Sequence, residues 1–598
     1  MGQVHVLLAA YLRPQWRRVT LLAVLLLTGI GLQLVNPQVV RYFIDTAQAG
    51  GPQSALFKAA LVFIAFALAA RGVALAADYL ATATGWTATN ALRSNLTLHV
   101  LNLDLPFHKR HIPGELIERI DGDVSTLGNF FSQFTIKVLA NGLLVAGILV
   151  LLYREDWRAG LGLTIYALLV LFALGAVQKA AVPRWTAQRQ ADAELFGFVE
   201  ERISGAEEIR AAGAEPYAMH GLYRLLRELL TKTRTAMLVS HVTYVLSNFL
   251  FVIGYALGLS LGAYLYSRGQ VTIGAAFLIV YYIGMLADPL NGIREQAEDL
   301  QRATASIGRT SELLRIQPQV RDNPESRIAV PHGSGGHSTK SNIAVPVTFD
   351  DVSFTYGDEG ADDNPALRNV SFHLEAGQVL GLLGRTGSGK TTISRLLFRL
   401  YDPTGGSIRL DGTDLRYLPL ASLRRQVGMV TQDVQLFQAT VRDNLTFFDR
   451  QIGDDRLERI LRDLQLWDWV QSLPERLDTR LAAGAGPARG QGLSAGEAQL
   501  LAFARVFVHD PGLVILDEAS SRLDPATETL LERAVDRLLE GRTGIVIAHR
   551  LRTIQRAEQL LILADGQVVE HGLRAQLAAD PTSRFYRLLQ TGLEEALQ

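Results

Sequence analysis

A helical membrane domain followed by an α/β domain is what this sequence predicts, and three observations carry the prediction. The first half of the 598-residue chain holds six apolar runs of bilayer length. From Val347 onward, short β-rich runs alternate with helical ones, the pattern of an α/β unit. Within that second half stands GRTGSGKT, Gly384 to Thr391, between the apolar strand QVLGLL and the helical run TISRLLFRL. The length alone calls for more than one domain.

The six runs lie near 19–40, 55–82, 134–153, 157–178, 236–266 and 271–290. VTLLAVLLLTGIGLQLV in the first is apolar all round, whereas helices of soluble proteins carry a polar face. This run is too long for a cleavable signal peptide and lacks a small-residue cleavage site, so it is expected to remain as a span. YLRPQWRR precedes it, while DTAQAGGPQ, without a cation, separates it from the second. Segments 83–133 and 179–235 are long, rich in Arg and Lys, and compatible with helix throughout. Positive charge collects on the cytoplasmic side. The N-terminus, both long segments and the α/β half are therefore expected in the cytoplasm, on a multi-pass protein of the inner (cytoplasmic) membrane. YREDWR, with both signs of charge, is a mild exception. The spanning helices are expected to continue well beyond the bilayer.

Bulk composition removes several function classes. Lys and Arg number 58 against 59 Asp and Glu, so the chain lacks the basic excess of a nucleic-acid binder. With no cysteine there is no disulfide framework, no thiolate zinc site and no cysteine nucleophile. The expected organisation is a transmembrane domain over 1–320, a linker over 321–346 and an α/β domain over 347–598. RDNPESRIAVPHGSGGHSTKSNIAVP has the composition of a flexible connector, and His332 and His337 within it read as solvated.

Strand, glycine loop and helix together make a phosphate-binding P-loop. Backbone N–H groups of Gly384, Arg385, Thr386, Gly387, Ser388 and Gly389, with the helix start at Lys390, Thr391 and Thr392, can wrap phosphate oxygens. Lys390 is expected to reach the β- and γ-phosphates of ATP and the Thr391 hydroxyl to ligate Mg²⁺. A second strand, GLVILDEAS, ends in two carboxylates. Asp517 is placed to hold the Mg²⁺ shell and Glu518 to act as general base for an attacking water. This strand is expected to lie beside the P-loop strand. A third, TGIVIAHRL, delivers His549 toward the γ-phosphate or the lytic water.

Six spans followed by these motifs resemble an ATP-binding cassette (ABC) exporter half-transporter of the multidrug, lipid or peptide type, over nearly the whole chain. The resemblance implies an α-helical membrane domain with long cytoplasmic extensions followed by an ABC nucleotide-binding domain. It implies that Tyr356 of VSFTYG stacks on adenine, and that Gln432 of VTQDVQLF links Mg²⁺ and water to the membrane domain. It also implies that Asp524 of SSRLDP lies in the loop crossing to a partner subunit. LDLPFHKRHIPGELIERIDGDV and VEERISGAEEIRAAGAEPYAMHGL resemble the two cytoplasmic loops whose short helices press on nucleotide domains. LQRATASIGRTSELL resembles the segment leaving the sixth span.

LSAGE, at 493–497, stands where the family has its signature, consensus LSGGQ. In the family the signature of one domain closes on the ATP held by the other. Ser494 and Gly496 match. Ala495 puts a methyl group where backbone approaches phosphate. Glu497 brings a negative charge, and two like charges about 4 Å apart repel by roughly 4 kcal/mol at an effective dielectric near 20. Ala488 replaces a glutamate usual upstream. Ser494-x-x-Glu497 is also a capping box, which makes the acid serviceable for starting the helix. Two readings stay open: a weakened signature, or a harmless variant. The first fits a heterodimer in which this chain's intact Lys390, Glu518 and His549 form the active site and LSAGE closes a slow one; a homodimer is the alternative.

Arg71 and Asp78, seven residues apart in the second run, share a helical face. They can line a substrate cavity, pair to hold helices together, or mark a helix reaching into water. Asn141 and Asn248 suit a cavity or interhelical hydrogen bonds. Asp288, before Pro289, reads as the end of a span or the cap of a break. The expected activity is ATP-hydrolysis-driven export of a hydrophobic or amphipathic substrate by alternating access, the direction resting on the resemblance. An importer of the same fold, or an ATP-gated channel or regulator, is the alternative, and intact Glu518 and His549 weigh against a channel. Soluble DNA-repair ATPases are excluded by the six spans. No protease-like leader precedes the first run, so peptide processing by this chain is not expected.

Overall fold

The computed structural model describes residues 10–130, 135–323, 344–356, 364–431, 434–481, 495–517, 525–547 and 554–591. They cluster into two compact units, one of residues 1–101 and 112–316, the other of 102–111 and 317–598.

Most of the first unit is long helix: α1 (Trp16–Gln48), α2 (Gln53–Leu101), α4 (Thr135–Glu155), α5 (Trp157–Ser204), α6 (Glu215–Ser267) and α7 (Ile273–Arg315). A short helix, α3 (Leu105–Arg110), follows α2 in sequence and belongs to the second unit. Among the described residues, six helices are long and apolar enough to cross a bilayer, in the runs the sequence marks. Several continue far past their apolar stretch. α2 runs on to Leu101 and α5 to Ser204, and α6 begins at Glu215. Local chemistry sets the ends. Asp156 accepts a hydrogen bond from the Arg158 N–H at 2.7 Å to start α5, and the Thr272 hydroxyl accepts from Ala275 at 3.1 Å to start α7. α7 passes through Pro289 without a break, so Asp288 caps no interruption there.

The helices close on each other through small residues. Gly254, Gly258 and Gly262 recur every fourth residue along α6, and all three are buried. A Cβ at Gly254 would lie 2.5 Å from the Tyr166 ring of α5, and one at Gly258 would collide with Ile283 of α7. Tyr166 turns the close approach into a bond, donating its hydroxyl hydrogen to Leu250 O at 3.0 Å. Around this seam, Ile148, Leu152, Leu163, Val170, Leu278, Tyr282 and Leu286 form the membrane core. Hydrocarbon offers helices no hydrophobic drive to associate, so packing of this kind carries the load.

Polar ties fix both ends of the bundle. Arg41 of α1 pairs with Glu155 at the end of α4, and Asp45 accepts from the Thr272 hydroxyl (2.8 Å) and the Gly274 N–H (2.9 Å) at the start of α7. Toward the other end of α7, buried Asp123 accepts from the Ser306 hydroxyl at 2.8 Å and from Arg309 Nε at 2.9 Å. Arg71 and Asp78 are both exposed on α2, and among the described residues no ion pair joins them. The structure therefore does not form the helix-packing pair that was one reading of these two. Asn141 faces Gly292 of α7, and Asn248 is exposed.

The second unit is built on two sheets. β1 (Val347–Phe354), β2 (Leu367–Leu374), β4 (Gly405–Leu410) and β5 (Thr413–Asp414) form an antiparallel sheet in the order β2-β1-β4-β5. The other contains β3 (Val379–Leu383), β6 (Val427–Val430), β7 (Leu513–Asp517), β8 (Thr543–Ile547), β9 (Gln559–Ala564) and β10 (Gln567–Leu573), in the order β10-β9-β3-β8-β7-β6. Helices α8 (Lys390–Leu397), α9 (Ala495–His509) and α10 (Pro525–Leu539) pack against it. β7 is apolar at every position but its last because both faces are covered. Leu513 and Ile515 join the core shared with the antiparallel sheet, and Val514 and Leu516 the core beneath α9 and α10. The expected neighbourhood of the Asp517 strand and the P-loop strand is corrected here: β8 lies between them. Each parallel strand enters after a crossover, so crossover packing decides the strand order, which no local run of residues displays.

A valine at Gly258 should overpack the α6–α7 seam and destabilise the protein by about 1–3 kcal/mol. Thermal unfolding of the detergent-solubilised protein would show a lowered midpoint for Gly258→Val and an unchanged one for Gly31→Val, where the Cβ position is open.

Candidate functional site

Register along the parallel sheet gathers the expected site on one edge. Leu382 of β3 pairs with Ile547 of β8, and Ile547 pairs with Asp517 of β7. Val430 of β6 pairs with Leu516. The strand ends that lead into the P-loop, toward His549, into Glu518 and toward Gln432 are thus level with one another. Asp517 is partly exposed at that edge. Gln432, Ser494, Glu518, Asp524 and His549 themselves lie outside the described residues.

The P-loop leaves β3 at Gly384 and ends at Gly389, which precedes α8. Gly384 (φ 149°) and Gly389 (φ 105°) adopt backbone angles that suit glycine. Neither has room for a side chain: a Cβ on the first would strike Leu563 O, and one on the second would sit 2.8 Å from Ala366 O. Arg385, Thr386 and Gly387 are exposed, and Gly387 faces open space. Lys390 is buried and folds back into the loop, donating to Gly384 O at 2.6 Å and Arg385 O at 3.0 Å. The Ser388 hydroxyl is buried without a hydrogen-bond partner. A cationic loop with an unsatisfied hydroxyl, open at Gly387 and backed by a helix N-terminus, suits the phosphates of a nucleotide. The exposed Thr391 hydroxyl and the Asp517 carboxylate are the oxygen donors here that could hold Mg²⁺.

Tyr356 stands over the start of α8. Its hydroxyl meets Thr392 Oγ1 at 3.0 Å and accepts from Arg395 at 3.2 Å. The Thr392 side chain therefore faces the aromatic platform. Among the described residues α9 is helical from Ala495 onward, with Glu497 in its first described turn; Ser494, the proposed cap, lies outside the described residues. Gly496 is buried and Glu497 partly so.

Two residues that motif reading passes over complete this unit. Arg505 of α9 is buried, with Nε donating to Asn444 O (2.7 Å) and its terminal nitrogens to Gln435 O (2.9 Å) and Asn444 Oδ1 (3.0 Å). Burial pushes its guanidinium below the usual value. It ties the helix that follows the signature to the segment that follows Gln432. A lone arginine in the apolar run LLAFARVFV was the available signal. The second is Lys109 of α3, whose Nζ lies 5.1 Å from the centroid of the Tyr356 ring. α3 docks through Leu105, which packs on the core shared by the two sheets, and through Asp104, whose carboxylate accepts from the Gln319 and Val320 N–H groups. Pairing over that distance in sequence leaves no local signal.

Replacing Arg505 with leucine takes its donors from Asn444 O and Gln435 O and leaves Asn444 Oδ1 with the Phe437 N–H alone, and should destabilise the protein by about 3 kcal/mol. Fluorescence of Trp467 and Trp469, which pack on the same core, would report it as an earlier thermal transition. Arg505→Lys should recover only part of the loss, because one ammonium does not reproduce the fork.

Comparison with known proteins agrees with this architecture. Residues 19–290 match the ABC transporter transmembrane region, and residues 367–521 match the ABC transporter family. The chain is 30% identical over 578 residues to the uncharacterized ABC transporter ATP-binding protein YknV of Bacillus subtilis (strain 168), covering 96% of this chain and 92% of that one. It is 29% identical to an ATP-dependent lipid A-core flippase of Syntrophus aciditrophicus (strain SB), covering 84% and 80%. A solved bacterial Atm1-family ABC exporter with ATP bound shares the fold, with a TM-score of 0.75 over 98% of both chains at 24% identity. The chain belongs to the ABC transporter family, as a half-transporter of exporter type that dimerises and couples hydrolysis of Mg²⁺-ATP to transport through its multi-pass membrane domain.

Proposed function

We propose that the protein exports a lipid or other amphipathic anion across the cytoplasmic membrane by alternating access, with its N-terminus and nucleotide-binding domain in the cytoplasm. The observation that carries this reading is Arg71, an exposed cation within the second span, on a helix that also exposes Leu68, Leu75 and Tyr79. A cation at bilayer depth is costly against lipid and belongs in a wet cavity. Beside an aliphatic surface it offers an anionic headgroup and its chains complementary contacts. Relatives named as lipid A-core flippases support a lipid-like cargo.

In this reading residues 1–320 form the transport domain, 321–346 the linker and 347–598 the nucleotide-binding domain. Tyr356 stacks on the base, and the P-loop from Gly384 to Thr392 holds the phosphates. Thr391, Asp517 and Gln432 hold Mg²⁺, which neutralises charge on the β- and γ-phosphates. Glu518 takes a proton from the attacking water, and His549 orients it. Ser494, Ala495, Gly496, Glu497 and Asp524 face the partner's nucleotide. The acidic signature supports a pair of unlike half-transporters, with the productive site on this chain's Lys390 and Glu518.

In reconstituted vesicles, vanadate-sensitive movement of an anionic amphipath should fall at least tenfold in Arg71→Ala, while movement of a neutral one stays near wild type. A uniform loss would remove Arg71 from cargo recognition, and ATP-gated leak without accumulation would favour a channel. In the complex purified from its own membrane, Glu518→Gln should nearly abolish hydrolysis, with the matching partner change doing little. Equal effects, or a native mass of twice this chain, would point to the homodimer.

A further inference from the structure

Tyr356 is held from several sides. Its hydroxyl is engaged by Thr392 and Arg395, and its ring meets Phe354 (4.8 Å) and Tyr401 (5.3 Å) at right angles. Two cations also stand over the ring: Lys109 Nζ lies 5.1 Å from its centroid, nearer than the Arg395 guanidinium at 6.0 Å. Arg395 is anchored on α8 by its bond to the tyrosine hydroxyl. Lys109 comes from the chain between the second and third spans, on a helix fixed in this unit by Leu105 and Asp104.

We propose that Lys109 is a positioning residue that shares the Tyr356 ring with the incoming base, so that adenine binding is linked to release of the lysine and of one tether on α3. The proposal rests on the reading of Tyr356 as the base platform. A cation within about 6 Å of an aromatic centroid and a base stacked on the ring each need a face of it, and the competition proposed is for the same face. Two occupants of one face exclude each other, and the linkage is reciprocal: the lysine weakens base binding by as much as the base weakens the lysine's contact. Leu105 and Asp104 hold α3 through the core and through the Gln319 and Val320 N–H groups, so α3 stays docked when the lysine's contact with the ring is lost. The loop between the spans thereby responds to the base, separately from whatever the phosphates do in the P-loop. An arginine at 109 would keep the competition, and a neutral side chain would end it.

Steady-state hydrolysis by the full-length reconstituted protein tests this with two substrates, ATP and ribose 5′-triphosphate, which has the phosphates and no base. Lys109→Ala should lower KM for ATP by about threefold, the worth of one exposed cation–π contact, and leave KM for ribose 5′-triphosphate unchanged. Lys109→Arg should restore the wild-type KM. A merely structural role for Lys109 would shift both KM values together, or act on kcat. A KM for ATP that is unchanged or raised, or equal shifts for the two substrates, overturns the proposal. Tyr356→Ala, measured alongside, should raise KM for ATP alone. If it does not, the platform reading fails and the lysine's role with it. If it does while Lys109→Ala leaves ATP untouched, only the lysine's role fails.

Discussion

Inside a bilayer no water is available to hydrogen-bond a peptide group, so each spanning segment must satisfy its own backbone. That constraint shapes the membrane unit. Every crossing is a helix, and a continuous helix is stiff enough to carry its axis far past the apolar stretch, as α2, α5 and α6 do. Hydrocarbon also withdraws the usual drive for helix association. The bundle depends instead on close approach at Gly254, Gly258 and Gly262 and on polar ties at its ends. Stiff helices joined at defined points transmit displacement along the bundle with little loss.

The nucleotide-binding unit solves a different problem, that of bringing groups from distant parts of the chain to one place. A parallel sheet does so because its strands all end at the same edge. Leu382, Ile547 and Asp517 are level there, although more than a hundred residues separate the first from the others. The edge collects a cationic loop, an unsatisfied hydroxyl and a carboxylate. Arg505 braces the same unit from behind, joining the helix after the signature to the segment after Gln432 through three acceptors. Movement of one of these segments is felt at the other, since a buried guanidinium does not give up its acceptors cheaply.

α3 extends this logic to the chain of the membrane half. Its residues come from between two spans, yet they belong to the compact unit that holds the nucleotide fold. Leu105 supplies an apolar anchor, Asp104 a polar one, and Lys109 reaches the tyrosine above α8.

Six spans, a strand–loop–helix and two further apolar strands were legible in the sequence because each depends on a local pattern. Bilayer length and all-round apolarity mark a span, and glycine spacing after a buried strand marks a phosphate loop. What stayed hidden depends on pairing across sequence. β8 lies between the P-loop strand and the Asp517 strand, Arg71 and Asp78 do not pair despite sharing a helical spacing, and Lys109 meets Tyr356. By itself the sequence determined which segments are long and apolar enough to cross a membrane and where a glycine loop follows its strand, since hydrophobic length and backbone freedom are properties of neighbouring residues. Only the tertiary structure decided strand order, helix contacts and the partners of each buried charge, because those follow from which distant surfaces fill each other's space.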